Sequence, residues 1–462
     1  MKDWKNRTLG ELVKSGQGII QTGPFGSQLH AADYVEEGVP CLMPINLKNN
    51  KIDISKVSFI SSVDAHRLSK HLVQIGDIIY SRRGDITQKA HITKNEEGYF
   101  CGTGCLLVRV GKNIDSKFLV YFLSTSTSNS WIKNHAVGIT MPNLNTKILS
   151  RFPVSFPDYA IQKQIAKVLS DLDSKIELNN KINTELEGMA KLIYAYWFVQ
   201  FDFPFDFAQG KPADDTSKPL DIKPYKSGGG KMVWDKELKR EIPEGWESGE
   251  FGDLGTIIGG STPSKAINEN FTNNGVPWIT PKDLSINSGK KFISHGELDV
   301  TDLGIKYGGL KILPTNCVLM SSRAPIGYLA ISRIPVTTNQ GFKSFIPNKD
   351  YPSSFIFYTV KQNMNLIENN ASGSTFREIS GNVLKSIKIC SPDKSLIKSF
   401  DKKLHPILVK QDKVELENQQ LSSLRDWLLP MLMNGQVRVM EGESELNIAA
   451  DVPRAGYGKG GF

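Results

Sequence analysis

Two glycine motifs in the chain have the residue types that bind a cofactor or a phosphate. Phe100, Gly102 and Gly104 spell F-x-G-x-G, the turn that approaches the methyl donor in adenine methyltransferases. That chemistry also needs a following helix and an N-P-P-[FY] or D-P-P-[FY] segment to hold a flipped adenine, and no such tetrapeptide occurs in the 462 residues. The glycines lead into the strand-like CLLVRV, so we interpret them as a tight turn. One function that this motif keeps open is that of a self-contained adenine methyltransferase.

The second motif resembles a phosphate loop. Gly228 to Lys231 reads GGGK, but Met232 stands where a Ser or Thr would bind magnesium, and Tyr225 stands where the first glycine belongs. The histidine pair His66 and His71 has no carboxylate at ligand spacing, so we interpret both as surface or structural residues. The sequence therefore predicts no catalytic residue, no cofactor-binding residue and no metal ligand.

Composition and charge restrict the class of protein further. The chain is 39% hydrophobic and 23% charged, and no apolar run approaches the roughly 18 residues of a membrane span. The start, MKDWKNRTLG, lacks an apolar export segment, so we expect a soluble cytoplasmic protein. Five scattered cysteines without paired spacing predict buried thiols. The net charge is +8, and the surplus of Lys and Arg lies in residues 1–157 and 243–392. Such a surplus favours binding to a polyanion, but alone it is weak evidence for one.

The chain repeats itself with a period of roughly 235 to 242 residues. GVPCLMPINL from Gly38 aligns with GVPWITPKDL from Gly275, and GDIIYSRRGDI from Gly76 aligns with NCVLMSSRAPI from Asn316. GITMPNLN from Gly138 aligns in the same order with GSTFREIS from Gly373. The second of these alignments places Arg83 on Arg323, so each repeat delivers an arginine at the exit of a strand.

Each repeat consists of a β-rich part followed by a long helix. The first part has short β-branched and aromatic runs separated by Gly, Pro and Asn, and the second has a heptad pattern of apolar residues. Polar Asn179, Asn183 and Asn418 occupy seam positions, where we expect them to fix register, with Asn183 and Asn418 at equivalent places. The fold class is therefore α+β, with two mostly β domains and two helices that pair as an antiparallel intramolecular coiled coil with pseudo-twofold symmetry. The heptad pattern of the first helix runs from Ile161 to about Trp197, and these thirty-seven residues of helix would span roughly 55 Å.

These patterns divide the chain into six segments. They are a first β domain (1–157), a first helix (158–200), a linker (201–242), a second β domain (243–392), a second helix (393–439) and a disordered tail (440–462).

Three segments carry a resemblance to a known family. WFVQFDFP from Trp197, GGKMVWDKELKREIPEGWE from Gly229 and LMNGQV from Leu432, in this order of domains, resemble the specificity subunits of type I restriction-modification enzymes. The resemblance extends over the chain to about residue 439. It implies that each β domain is a target recognition domain reading half of a split site in double-stranded DNA. It further implies that the helices set the distance between the two half-sites. They would also dock two methyltransferase subunits and, through them, two restriction subunits. These partner subunits would bind the methyl donor and ATP. A non-catalytic coiled-coil adaptor is the other alternative.

Candidate DNA contacts are the polar residues of loops, because base edges need hydrogen-bonding groups and phosphates need cations or backbone amides. The arginines at the strand exits, with their neighbours, are the preferred candidates: Arg82, Arg83, Ser321, Ser322 and Arg323. Glycine-containing loops add Gln21, Thr22, Ser27 and Gln28 in the first repeat and Ser261, Thr262, Ser264 and Lys265 in the second. Weaker candidates are Gln88, Lys89, Thr140, Asn143, Asn339, Gln340, Thr375 and Arg377.

Overall fold

A computed structural model describes residues 4–138, 142–213, 222–373 and 377–439. The predicted tail (440–462) and the candidates Thr140 and Thr375 lie outside the described residues. The chain forms two compact units. The first unit contains the chain up to Lys175 and again from Leu421, and the second unit contains Ile176–Gln420.

The first unit is built from short strands and helices. Its strands are β1 (Lys5–Thr8), β2 (Ile19–Thr22), β3 (Tyr34–Val35), β4 (Val39–Leu42), β5 (Leu47–Lys48), β6 (Lys51–Ile52), β7 (Ser58–Ile60), β8 (Ile78–Ser81), β9 (Lys89–His91), β10 (Phe100–Cys101), β11 (Cys105–Arg109) and β12 (Pro153–Phe156). Its helices are α1 (Leu9–Ser15), α2 (Ser62–Arg67), α3 (Ser116–Ser124), α4 (Ser126–His135) and α5 (Thr146–Ser150), and it includes the first part of α6 (Tyr159–Tyr194).

Two four-stranded sheets dominate the first unit, in the orders β2-β11-β8-β9 and β10-β4-β7-β3. The central strand β8, with the mainly apolar sequence IIYS, is buried on both faces. Its alternate side chains enter different cores: Ile78 and Tyr80 join the cluster under α3, whereas Ile79 joins the opposite cluster. The F-x-G-x-G glycines form the turn between β10 and β11, as predicted.

The second unit repeats this plan. Its strands are β13 (Pro204–Asp206), β14 (Lys211–Pro212), β15 (Ile222–Pro224), β16 (Met232–Asp235), β17 (Arg240–Pro243), β18 (Glu247–Glu250), β19 (Thr256–Gly259), β20 (Phe271–Thr272), β21 (Val276–Ile279), β22 (Phe292–Ile293), β23 (Leu298–Val300), β24 (Val318–Ser322), β25 (Ile326–Ser332), β26 (Thr337–Thr338), β27 (Lys343–Ile346) and β28 (Lys388–Ser391). Its helices are α7 (Pro281–Ile286), α8 (Asp302–Gly308), α9 (Ser353–Gln362), α10 (Met364–Asn369) and α11 (Gly381–Ser386), with most of α12 (Lys394–Met433).

The central strand β24 corresponds to β8 and shows the same alternation. Val318 and Met320 enter the large core cluster, and Leu319 enters the smaller one on the other face. The aromatic end of the linker belongs to the large cluster, where Phe203 stacks on Trp246 at 5.4 Å between ring centroids. The aromatic end of the linker is thus part of a packed core, and residues 214–221 in its middle lie outside the described part of the chain.

The long helices pair in antiparallel fashion within each unit. Helix α6 continues as one π-helical turn, Ala195–Val199. In the first unit, Leu169 of α6 shares a buried cluster with Leu432 of α12. In the second unit, Asn179 contacts Asn418, and the later residue Asn183 contacts the earlier Gln411, so residue numbers run in opposite directions. The α+β class with antiparallel helix pairing is therefore confirmed.

The structure can be compared with what the composition predicted about the cysteines and the helices. Cys41, Cys101, Cys105 and Cys317 are buried, and Cys390 is half-buried. Among the described residues, no helix combines the length and apolarity needed to cross a membrane. Their His, Cys, Asp and Glu side chains form no group of three that would hold a metal ion.

Candidate nucleic-acid interface

The two strand exits share a left-handed residue at the same place. β8 leads into Arg82 and Arg83, and β24 leads through Ser322 into Arg323. The next residue adopts a left-handed conformation in both units, with φ 73° at Gly84 and φ 49° at Ala324. A non-glycine residue in this region costs of order 1 to 3 kcal/mol, and such residues cluster at functional sites.

A hairpin loop is fastened to each exit by an equivalent hydrogen bond. The amide of Leu144 donates to the Arg82 carbonyl at 3.0 Å, and the amide of Ile379 donates to the Ser322 carbonyl at 3.1 Å. The hairpins close through the bridges Val137–Asn143 and Ser372–Glu378. Arg82 and Ser322 are therefore equivalent, and so are Arg83 and Arg323, as the sequence alignment predicts.

The hairpins place a polar side chain beside each arginine. Arg82 Nε donates to Asn143 Oδ1 at 3.3 Å, and Arg323 Nη1 lies 3.7 Å from Glu378 Oε2. Asn143 is one of the sequence candidates, but Glu378 is not. The alignment of GITMPNLN with GSTFREIS already puts Glu378 on Asn143, so the repeat itself was the signal that identifies this residue.

In the first unit, the strand exit borders a cleft of about 680 Å³. Its walls are formed by Pro24–Gly26, Met43–Pro44, Arg82–Arg83 and Thr103–Gly104, together with Leu29, Ala31, Tyr34 and Ser58. Phe25 at the rim is 58% exposed, and its amide donates to Gln28 Oε1 at 3.2 Å. The cleft thus brings the glycine-containing loop and the two arginines together around one concave surface.

The remaining candidates of the first unit lie in different surroundings. Ser27 is exposed, whereas Thr22 and Gln21 are half-buried, and Gln21 Nε2 donates to the Lys70 carbonyl at 2.5 Å. Gln88 Nε2 donates to Asp85 Oδ2 at 2.9 Å. These bonds leave Ser27 as the most accessible hydroxyl of the loop.

The structure corrects three of the expected DNA contacts. Lys89 is only 4% exposed because it lies on the interior of β9, where its ammonium donates to the Thr87 carbonyl at 3.1 Å. Burial lowers the pKa of Lys89 to about 8. Ser321 and Ser322 are fully buried in β24, where Ser321 Oγ donates to the Pro325 carbonyl at 2.8 Å. These three side chains do not reach the surface that a duplex would meet.

Among the candidates of the second unit, Asn339 shares a neighbour with Arg323. Asn339 and Arg323 both lie against Gly341, and Asn339 Oδ1 accepts from the Gly341 amide at 2.9 Å. Ser261 Oγ donates to the Gly308 carbonyl at 2.6 Å. The others are exposed: Thr262, Ser264, Lys265, Gln340 and Arg377. Of these, Lys265 lies 5.7 Å from the centre of the Trp278 ring, and Arg377 donates to the Glu368 carbonyl.

The seam asparagines lie in the second unit. Asn179 Nδ2 donates to Asn418 Oδ1 at 2.9 Å, and Asn418 Nδ2 donates to Asn180 Oδ1 at 2.9 Å. Asn183, which the alignment of the two helices makes equivalent to Asn418, accepts from Gln411 through its backbone carbonyl at 3.4 Å. Asn418 hydrogen-bonds to Asn179 and Asn180, and its equivalent Asn183 contacts Gln411.

Comparison with known proteins places this architecture in a family. The family profile described as type I restriction modification DNA specificity domain matches residues 1–188 and 243–425. The chain belongs to this family, whose members confer DNA specificity on a type I restriction enzyme and are not its catalytic subunits.

Individual relatives agree with this placement. The chain is 26% identical to the specificity subunit of the type I restriction enzyme HindI of Haemophilus influenzae, over 95% of this chain and 100% of that one. It is 40% identical to the MjaIX specificity subunit of Methanocaldococcus jannaschii, over 35% of this chain and 38% of that one. The crystal structure of a type I restriction-modification S subunit from M. genitalium has the same fold, with a TM-score of 0.57 and 15% identity over 93% of this chain and 96% of that one.

Proposed function

We propose that this specificity subunit reads a split site in double-stranded DNA, with one half-site for each β-rich unit. The observation that supports this most strongly is the duplicated strand exit. Arg83 and Arg323 follow equivalent buried strands, and the carbonyls of the preceding residues, Arg82 and Ser322, accept equivalent hydrogen bonds from the hairpin segments. A single chain that presents the same reading element twice resembles a dimer that reads two half-sites.

The chemistry of the first strand exit suits a duplex. Arg83 is exposed and has no side-chain partner among the described residues, so its guanidinium is free to bind a phosphate or the O6 and N7 atoms of guanine. Arg82 and Arg83 border the neighbouring cleft, and their guanidinium groups are suited to phosphates of the DNA backbone. Phosphate contacts of this kind position a protein on DNA, while groups at the rim read the bases.

Two arginine substitutions test this division of labour. Arg83→Ala is expected to weaken binding through one half-site and Arg323→Ala through the other, each by about 10-fold, when the complex with its methyltransferase is titrated with duplexes altered in one half-site at a time. Arg7→Ala, at an exposed arginine on β1, is the control and should bind like the parent. Arginine variants that both bind like the parent would contradict the assignment.

We further propose that the long helices dock two methyltransferase subunits and, through them, two restriction subunits, in the cytoplasm. An exposed stripe on α6 supports this, because Leu178, Met189, Leu192 and Tyr196 follow the spacing of one helix face and are 38% to 66% exposed. In this proposal the methyl donor and ATP bind to the partner subunits, and this chain supplies no cofactor site.

Co-purification tests the docking surface. Leu192→Asp places a charge in the stripe and is expected to reduce the methyltransferase recovered with the chain at least 10-fold. Lys191→Ala, at an exposed position on another face of the same helix, should leave recovery unchanged. Equal recovery with both variants would show that the partner binds elsewhere.

A further inference from the structure

The two strand exits differ in one chemically informative position. Asn143 and Glu378 occupy equivalent ends of the two hairpins, each paired across a bridge and each beside the arginine-bearing exit of its own unit. One unit therefore carries a neutral amide at the place where the other unit carries a carboxylate.

The amide of Asn143 keeps much of its hydrogen-bonding capacity. Its Oδ1 accepts one bond from Arg82 Nε, which leaves a second lone pair, and its Nδ2 has no partner among the described residues. Because the side chain is only partly buried, an acceptor and a donor remain side by side. That is the pattern with which asparagine binds N6 and N7 of adenine.

The carboxylate of Glu378 lies between the positive charges of Arg323 and Lys343, and it accepts no hydrogen bond within the described part of the chain. Its two oxygens lie 3.7 Å from Arg323 Nη1 and 3.7 Å from Lys343 Nζ, which is too far for a hydrogen bond. The side chain is 39% exposed. Its lone pairs are therefore available to a donor, and the two cations reduce its repulsion from DNA phosphates.

We propose that these two residues set base preference in their half-sites: Asn143 binds adenine and Glu378 binds cytosine in the major groove. This rests on the proposed reading of a split site. A carboxylate only accepts hydrogen bonds, so it matches the N4 amino group of cytosine and is repelled by O6 of guanine and O4 of thymine. Arg323, beside it, matches O6 and N7 of the guanine paired with that cytosine.

Modification mapping with the intact complex tests the proposal. The chain is co-expressed with a type I methyltransferase subunit that it docks, and modified adenines are mapped for the parent, Glu378→Gln and Asn143→Asp. Glu378→Gln is expected to replace cytosine by adenine at one position of one half-site, with a preference change of about 10-fold or more. Asn143→Asp is expected to replace adenine by cytosine at one position of the other.

Matched controls separate base reading from charge alone. Glu237→Gln neutralises an ion-paired carboxylate outside the strand exits, and Asn95→Asp adds a charge on the surface of the first unit. Both should keep the parental motif. Altered base identity in either hairpin variant, and in neither control, supports the proposal.

Two other results overturn it or the proposal beneath it. If the hairpin variants only lower the extent of modification while every base of the motif is kept, Glu378 is an ion-pair partner of Arg323 and the proposed preference is wrong, although the split-site function stands. If the parent itself shows no split motif, the proposed function fails, and the base preference fails with it.

Discussion

In each unit the β-rich part packs against the long helices, but the polar contacts between them differ from one unit to the other. Tyr121 of α3 and Tyr358 of α9 occupy equivalent positions in the repeat, and each hydroxyl donates to a carboxylate of α6: Asp173 at 2.6 Å and Glu187 at 2.9 Å. In the first unit the contact is completed by Arg425, which donates to Asp173 at 2.9 Å and is about one-third exposed.

The second unit builds a buried network at the corresponding place. Lys291, 3% exposed at its side chain, lies 2.8 Å from Glu187 and donates to Gln411 at 2.7 Å. Glu415 accepts from the Lys291 amide at 2.7 Å and from Arg333 at 2.8 Å. Burial lowers the pKa of Lys291 to about 8 against the opposing effect of Glu187. For Glu187, burial alone would raise the pKa, but Lys291 and Lys361 lower it to about 2.

This difference shows which features the repeat retains. The apolar positions and the tyrosine recur in both units, because they form the core against the helices. The charged groups differ, because a buried charge is tolerated wherever its partners are complete.

The largest expected effect comes from breaking the buried network. Glu415→Ala removes the acceptor of Arg333 and of two backbone amides, so it should lower the free energy of unfolding of the second unit by about 3 to 5 kcal/mol. The measurement is denaturant unfolding, with hydrogen exchange to identify the unit that is affected.

Asp173→Ala is the matched change in the first unit. Because Arg425 and Asp173 are both partly exposed, the loss there should be about 1 to 2 kcal/mol. Equal losses in the two units would contradict the contrast between a buried network and a partly exposed pair.

A smaller effect, confined to the first unit, is expected from acid. His71 is 3% exposed, its ring nitrogens have no hydrogen-bond partner among the described residues, and burial lowers its pKa to about 4. The unfolded chain binds a proton near pH 6.5, so the stability contributed by neutral His71 falls as the pH drops from 6.5 towards 4. The parent should lose up to about 2 kcal/mol of its free energy of unfolding through His71 between pH 6.5 and pH 5, and His71→Phe should remove this loss. The measurement is denaturant unfolding at both pH values. An unchanged pH dependence would refute the assignment to His71.

The smallest effect is expected at the helix seam of the second unit. Asn179 is 1% exposed and Asn418 8% exposed, and they hydrogen-bond to each other. Replacing both by leucine should raise the free energy of unfolding by about 1 kcal/mol and loosen the register, because polar seam residues trade stability for alignment. The single variant Asn418→Leu, which leaves Asn179 unpaired, should instead be destabilised. If the double variant is less stable than the parent, the asparagines stabilise the seam and do more than align it.

Local patterns in the sequence predict the fold well. The repeat, the strands β8 and β24, both long helices and the equivalence of Arg83 with Arg323 all follow from apolar spacing and turn residues. What the sequence did not reveal depends on contacts between distant segments. Burial of Lys89 depends on the neighbouring strand, and the pairing of Asn179 with Asn418 depends on a register that neither helix specifies alone. Glu378 was not among the candidates although the repeat aligns it with Asn143; its ion pair with Arg323 forms only when the hairpin folds against the strand exit.

The most direct test of the central claim maps the DNA motif. The chain and its methyltransferase are co-expressed, and modified adenines are mapped for the parent and for chains in which one or the other β-rich domain is exchanged with that of a relative. We predict a split motif in which each exchange changes one half and leaves the other intact. A continuous motif, or a motif in which both halves change together, would contradict the claim.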